Sequence, residues 1–238
     1  MMEHFGLTID GKHTSKFGLQ MLSMYIPLPD CKTNYISVPG ASGSIDLSEI
    51  DGQVYYEDRS GLNFEFVLLD GDYERFSVVV MEIGMLLHGK KLKIIPDNDL
   101  GYYYMCRIEV DMKKSDPVMS ILTLTGTAEP FKYDLVASDE DWLWDPFDFE
   151  TGIIREYMNL VIDETNRSIT ILGAGKPAVP EFIVTESANL SVIYGGKTYH
   201  MFTTGTYRFP AIRIGEDDVK LEFSGSGILS IRYRGAYL

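Results

Sequence analysis

The sequence contains few basic residues and few cysteines, and each shortage limits the classes of function that the protein can have. Its 238 residues include 21 lysines and arginines against 35 aspartates and glutamates, a net charge of −14. Because affinity for nucleic acid comes mainly from basic side chains that displace counterions, direct binding to DNA is disfavoured. The two cysteines, Cys31 and Cys106, form no CxxC motif. We expect two buried free thiols, with a disulfide between them as the alternative.

Long hydrophobic runs are also missing. No apolar stretch approaches the roughly 20 residues that span a bilayer as a helix. Residues 1–10 have neither the basic nor the apolar section that secretory signals contain. We therefore expect no signal peptide, and a protein that is made in a cytosol and stays soluble.

Recognisable catalytic patterns are missing as well. The four histidines, His4, His13, His88 and His200, lie in separate segments without HxxxH or HExxH spacing. We interpret them as solvated or capping side chains, although folding could still bring them into a metal site or a catalytic triad. The sequence therefore predicts no catalytic, metal-binding or cofactor-binding residue, and a protein that is not an enzyme.

The acidic residues are distributed unevenly, and this suggests a division into parts. Residues 1–134 carry 20 acids and 12 bases, residues 135–158 carry 7 and 1, and residues 159–238 carry 8 and 8. We accordingly predict an N-terminal domain over 1–134, an acidic aromatic linker over 135–158 and a C-terminal domain over 159–238.

The predicted linker contains the candidate functional residues. Its acids lack the alternation and the glycine of an EF-hand loop, so we interpret them as solvated, with calcium binding as the alternative. They are Asp139, Glu140, Asp141, Asp145 and Asp148. Its aromatic side chains are Trp142, Trp144, Phe147 and Phe149. Buried, they would hold the two domains together; exposed, they would anchor a partner or stack on a sugar. We favour burial, because aromatic side chains bury large areas.

Alternating apolar residues predict strands in the first domain. Leu62, Phe64, Phe66 and Leu68 alternate with side chains of the opposite face, and similar strands are predicted at 91–95, 102–110 and 119–125. One amphipathic helix is predicted over 72–88, with Asp72 as its N-cap and Gly89 just beyond its end.

The second domain reads as an all-β sandwich, because turn signals recur every eight to twelve residues. Strands are predicted at 168–172, 181–185, 190–194, 197–201, 207–209, 219–223 and 228–233. Gly195-Gly196 is predicted to form a two-residue hairpin turn. Gly225-Ser226-Gly227 is predicted to turn the chain between the last two strands.

The order and spacing of these features resemble the distal tail protein (Dit) family of long-tailed, non-contractile bacteriophages. The resemblance covers nearly the whole chain and includes the strand–helix–strand unit over 62–95. The segments that carry it are SKFGL (15–19), VPG (38–40), GSID (43–46), PFKY (130–133) and DPFDFE (145–150).

The resemblance implies a fold and a role. The expected fold is mainly β, with an N-terminal β-sandwich or split-barrel domain that carries one α-helix and a C-terminal galectin-like β-sandwich. Six copies would close into a ring at the tip of the tail through their N-terminal domains. The ring would join the tail tube to the tail-associated hub protein, often anchor receptor-binding proteins, and let DNA pass without specific binding.

Two other readings stay open. A two-domain β protein could instead bind glycans on the bacterial surface through its C-terminal sandwich. More remotely, paired carboxylates could serve a cell-wall hydrolase. The expected location is the tail tip of a virion or prophage particle, after assembly in the cytoplasm of the host bacterium.

Overall fold

The computed structural model describes residues 5–69, 73–114, 119–142 and 154–238. Within these ranges the chain is mainly β with one α-helix, which confirms the predicted fold class. The chain divides into two compact units, one formed by Met1–Asp99 and Tyr103–Lys132 and the other by Leu100–Tyr102 and Tyr133–Tyr237. No helix in the described ranges is long and apolar enough to cross a membrane.

The first unit is built on an antiparallel sheet. Its strands, with a separate hairpin formed by the fourth and fifth, are β1 (Leu7–Ile9), β2 (Lys12–His13), β3 (Leu19–Tyr25), β4 (Tyr35–Ser37), β5 (Ser44–Asp46), β6 (Arg59–Leu69), β7 (Lys91–Pro96), β8 (Tyr102–Lys114) and β9 (Met119–Ala128). The order across the main sheet is β2-β1-β7-β8-β9-β6-β3, so β3 lies at one edge and the two-residue β2 at the other.

The core of the first unit lies on one face of this sheet. Leu62, Phe64, Phe66 and Leu68 of β6 are at most 1% exposed. Each successive strand residue points to the opposite face, so these four share one side, as their alternation predicts. They pack in one cluster with buried residues of β1, β7, β8, β9 and the helix.

The single described α-helix, α1 (Tyr73–Leu87), confirms the predicted one. Val79, Ile83 and Leu87 recur at four-residue steps and are buried in the core cluster. Gly89 has a φ of +74°, as expected for a glycine just past a helix end. The predicted N-cap, Asp72, lies outside the described residues.

The second unit is another antiparallel assembly. The strands that follow β9 are β10 (Lys132–Asp134), β11 (Leu160–Ile162), β12 (Ser168–Ile171), β13 (Glu181–Tyr194), β14 (Lys197–His200), β15 (Gly205–Arg208), β16 (Val219–Arg232) and β17 (Ala236–Tyr237). The order β11-β16-β13-β14 forms one sheet path, while β12 also pairs with β16 and β15 with β13. Phe182, Leu190, Leu229 and Ile231 are fully buried members of its core.

The predicted turn at Gly225-Ser226-Gly227 is wrong, because β16 runs through it as one 14-residue strand. Likewise, the two strands predicted at 181–185 and 190–194 are one strand, β13. Gly225, with a φ of +77°, and Asn189, with a φ of +56°, lie at a register shift between the two strands. The glycine therefore allows a bulge and a local bend within a continuous pair.

The predicted hairpin at Gly195-Gly196 is confirmed. The two residues have φ values of +56° and +74°, and they connect Tyr194 to its partner Lys197 across β13 and β14. Positive φ at both central positions is what a type I′ turn requires, and glycine adopts it without strain.

Both cysteines are free, as predicted, but only one of them is buried. Cys106 is fully buried in the core, and burial raises the pKa of its thiol to about 12. The expectation that Cys31 is also buried is wrong, because it lies at the base of the exposed β4–β5 hairpin.

Gly225→Ala is expected to destabilise the second unit by about 2 kcal/mol or more, since a Cβ there would lie 2.3 Å from the Asn189 carbonyl oxygen. Gly196→Ala is the matched control: its φ of +74° is nearly the same, but no atom lies within 4 Å of the added Cβ. Urea unfolding should show a clearly smaller loss for the control. Equal losses would contradict a steric role for Asn189.

Alkylation should distinguish the two thiols. At about pH 8, near the pKa of an ordinary thiol, iodoacetamide is expected to modify Cys31 and to leave Cys106 unreacted until the protein unfolds, because the thiolate is the nucleophile. Peptide mass spectrometry measures the modified fraction of each cysteine after labelling of the native protein and of the denatured protein. Rapid native labelling of Cys106 would contradict its buried position.

Candidate functional site

The clearest candidate for a functional surface is the hairpin segment over residues 31–57, which we call the arm. Backbone hydrogen bonds join the two ends of the arm. Lys32 N donates to Tyr55 O and Glu57 N donates to Asp30 O, both at 2.8 Å. Strands β4 and β5 pair beyond this base, with Ile36 opposite Ile45. Every residue over 31–46 is exposed. In the sequence this segment shows only the motifs VPG (38–40) and GSID (43–46), and no periodic pattern there predicts a surface.

A second uncovered feature is the edge strand β3. Its seven residues, LQMLSMY, contain no charge. Leu22 is 59% exposed and Tyr25 is 60% exposed. Leu22 also lies at a register shift against β6. Edge strands are usually protected from association by charged residues, by proline or by bulges, and β3 has only the last of these. It is therefore a surface suited to contact with another chain.

The outward side of α1 is the third such feature. Val78, Met81 and Met85 are 49%, 62% and 76% exposed. They recur at positions i, i+3 and i+7, which places them in one row on the side opposite the buried stripe. We call them the outer row. A soluble helix normally carries polar residues on that side, so the row indicates a contact surface.

The candidate aromatic residues are only partly described. Trp142 is half-buried. Trp144, Phe147 and Phe149 lie outside the described residues. Their role as a link between domains or as partner contacts therefore stays a prediction.

Of the described acids at the start of the predicted linker, Glu140 and Asp141 are exposed as expected, but Asp139 is buried. The side chain of Asp139 is 5% exposed, and its carboxylate accepts hydrogen bonds from Arg232 at 2.9 to 3.0 Å. This hydrogen bond raises the pKa of the Arg232 guanidinium. Glu140 pairs with Arg234 at 3.1 Å. The prediction of a solvated side chain is therefore wrong for Asp139, whose partner Arg232 lies 93 residues away, and it holds for Glu140, whose pair with Arg234 is exposed.

A deeper ion pair joins Asp134 and Arg155. Their side chains are 15% and 8% exposed, and Arg155 Nη1 donates to Asp134 Oδ2 at 2.8 Å. Burial raises the pKa of Asp134. At Arg155 burial is the largest influence and lowers the pKa, but the Asp134 carboxylate and the hydroxyl groups of Tyr237 and Tyr233 together outweigh it, so the pKa of Arg155 is raised overall. Arg155 therefore stays charged, and within the described residues its Nε has no hydrogen-bond partner.

Two histidines contact serines, which is the arrangement that catalytic chemistry would need. His13 lies 2.7 Å from Ser15 Oγ and 2.9 Å from Asp97 Oδ2. However, Ser15 is exposed, and its backbone N–H donates to His13 Nδ1, so His13 caps the short 3₁₀-helix Thr14–Phe17. His200 lies 3.0 Å from the buried Ser191.

The capping interpretation is thus confirmed for His13. His88 is exposed, as expected for a solvated side chain, and its Nδ1 accepts a hydrogen bond from Val110 N of β8. His4 lies outside the described residues. Within the described ranges, histidine, cysteine, aspartate and glutamate form no group of three that could hold a metal ion.

Asp134→Asn is expected to destabilise the second unit by about 3–5 kcal/mol, since it leaves the buried charge of Arg155 uncompensated. Glu140→Gln removes an exposed ion pair of the same unit and should cost less than about 1 kcal/mol. Urea unfolding followed by circular dichroism compares them. Equal effects would mean that the buried pair is solvated in solution.

Comparison with known proteins gives a match in structure only. No protein-family model matches the sequence, and no curated protein matches it in sequence. The crystal structure of the SPP1 Dit protein (gp 19.1) matches with a TM-score of 0.64 at 12% sequence identity, covering 99% of this chain and 100% of that chain. That protein is described as a paradigm of the hub adsorption apparatus in phages that infect Gram-positive bacteria. At this identity the match concerns the fold: the chain has the fold of a Dit protein along its whole length, as the sequence resemblance predicted.

Proposed function

We propose that this chain is a Dit-type structural protein of a phage or prophage tail tip, which acts by assembly and not by catalysis. Six copies form a ring that connects the tail tube to the tail-associated hub protein and anchors adhesion proteins. The observation that carries the proposal is the match in fold to a phage hub protein over the full length of both chains. A shared module would cover only part of one chain.

The exposed surfaces of the first unit support self-association. The uncharged edge β3 presents unpaired backbone groups and exposed apolar side chains, and the arm presents more. An open sheet with such an edge invites association, and a closed cyclic arrangement satisfies the edge without unlimited growth. We therefore assign ring formation to the N-terminal part, residues 1–134.

The charge balance supports a channel for DNA. The first 134 residues carry 20 acids against 12 bases. Double-stranded DNA that traverses the ring must not adhere to its wall, and a wall poor in basic side chains meets this requirement. DNA therefore passes the ring without specific binding. A net basic inner wall in an image of the assembled ring would contradict this part of the proposal.

The C-terminal part, residues 159–238, is a galectin-like sandwich, and residues 135–158 link it to the N-terminal part. The partners are the tail tube protein, the hub protein and a receptor-binding protein. The aromatic residues Trp142, Trp144, Phe147 and Phe149 are assigned either to the contact between domains or to a partner.

One observation favours the alternative of glycan binding. The ring of Phe202 is 52% exposed and stacks on His200 at a centroid distance of 4.6 Å. An exposed aromatic ring beside polar groups resembles the amphipathic platforms on which sugars pack. Under this alternative the protein acts as a monomer that recognises the bacterial surface.

Solution mass separates the two functions. Light scattering of the purified protein is expected to give a six-copy particle, and negative-stain images should show a ring with a central hole. Leu22→Lys adds a charge to the β3 edge and should disperse the particle, while the unfolding temperature stays unchanged because Leu22 is exposed.

Val161→Lys is the control for this variant, since Val161 is 52% exposed but lies in the second unit. It should leave the ring intact. A monomeric wild-type protein with measurable affinity for surface glycans would contradict the ring and support the alternative.

A further inference from the structure

Within the described part of the chain, no layer covers either face of the arm. Ile36 and Ile45 are direct partners across β4 and β5 and therefore share one face, where they are 47% and 53% exposed. On the other face, Tyr35 is 59% exposed. A two-stranded hairpin without a covering layer is at best marginally stable in water. The arm would therefore be stabilised by a surface beyond those that the described residues provide.

The outer row of α1 is also an exposed apolar surface, and it could cover the arm. Val78, Met81 and Met85 form one exposed apolar row, while the opposite side of the helix is buried in the core. Apolar residues on both sides are typical of a helix that is covered on both sides. The row is about as long as a short hairpin, because seven residues of α-helix rise roughly 10 Å and three residues of strand extend a similar distance.

Charge favours contact between these two surfaces. Residues 30–58, which comprise the arm and its base, contain six acids and one base. Basic side chains stand at both ends of the outer row. Lys114 lies 5.5 Å from the ring of Tyr73 at the helix start. Lys90 donates to the carbonyl of Met85 at the helix end.

Arg107 adds to the basic end, because its Nη1 donates to the carbonyl of Gly89. The complementarity is confined to the two ends, since the helix itself also carries Glu74 and Glu82. The expected arrangement therefore places isoleucines over methionines in the middle and acids near the lysines at the ends. Such mixed contacts combine apolar burial with charges that fix the orientation.

The two surfaces belong to one unit and are both exposed there, so neither covers the other within a copy. Contact between them must join different copies. An interface between two different patches of identical chains is heterologous, and it closes into a ring when the rotation per copy allows.

We propose that the arm of each copy lies across the outer row of α1 in the next copy, with the face of Ile36 and Ile45 against Met81 and its neighbours. The inference rests on the proposed ring and names the contact that closes it.

Cross-linking between single-cysteine variants tests the direction of the contact. Ile45→Cys and Met81→Cys are prepared separately in a Cys31→Ser background, in which the remaining Cys106 is buried. A short bismaleimide is expected to join the two variants when they are mixed and to give little product with either alone. The double variant should give a ladder of products up to six copies.

Charge substitutions measure what the contact contributes. Ile45→Lys and Met81→Lys should each weaken association by about tenfold or more, as expected for a central apolar contact. Val161→Lys is the matched control, since Val161 is 52% exposed but lies in the second unit, and it should assemble normally. All three should unfold at the wild-type temperature, which separates lost assembly from lost folding.

The outcomes are distinct for the ring and for its contact. A six-copy ring whose mixed variants do not cross-link overturns the arm-to-helix contact and leaves the proposed function standing. Efficient cross-linking of Ile45→Cys alone would indicate contact between two arms and also overturn it. A wild-type protein that stays monomeric at every concentration overturns both.

Discussion

The first unit exposes backbone groups at a sheet edge and apolar side chains that the described residues do not cover. The surfaces discussed above depend on this exposure. The β3 edge has no charge to keep other strands away, and the arm presents Ile36 and Ile45 to solvent. Single exposed apolar side chains are common on soluble proteins, but a contiguous set of them beside an open sheet edge promotes association. The core below is complete without them, since Phe64 and Phe66 are fully buried. In the first unit, the side chains of the core are therefore distinct from the exposed groups to which we assign assembly.

In the second unit, long strands and buried charges find their partners within the unit itself. Its two longest strands, β13 and β16, stay paired past Asn189 and Gly225 because the positive φ values there accommodate an extra residue. Asp134 and Arg155 then join segments far apart in sequence through a buried ion pair. Such a pair adds little net stability over apolar packing but fixes which groups can meet. The sandwich is thus specified by bends and charges as well as by apolar alternation.

Much of the core could be predicted, because the spacing of apolar residues along a strand or helix shows which of them share the buried face. Leu62 to Leu68 alternate on a strand, and Val79, Ile83 and Leu87 recur on a helix, so burial follows from spacing alone. Gly225 was mistaken for a turn because glycine permits both a turn and a bulge, and only the partner strand decides between them. Asp139 was placed in solvent because its partner, Arg232, lies 93 residues away. The arm gave no periodic signal, since neither of its faces is buried.

The acidic charge of the first 134 residues serves two proposed roles that compete for the same side chains. Residues 30–58 hold six of its 20 acids and one of its 12 bases, so the rest of this part carries 14 acids against 11 bases. If the arm lies on the neighbouring helix, its acids face lysines at the contact and contribute little to the channel. The wall would then be only weakly acidic. DNA would pass more easily because three of the basic side chains are held by other groups: Lys91 by Glu129, Lys132 by Asp99, and Arg59 by backbone carbonyls. On this argument, low adhesion to phosphate depends on where the bases are held more than on the excess of acids.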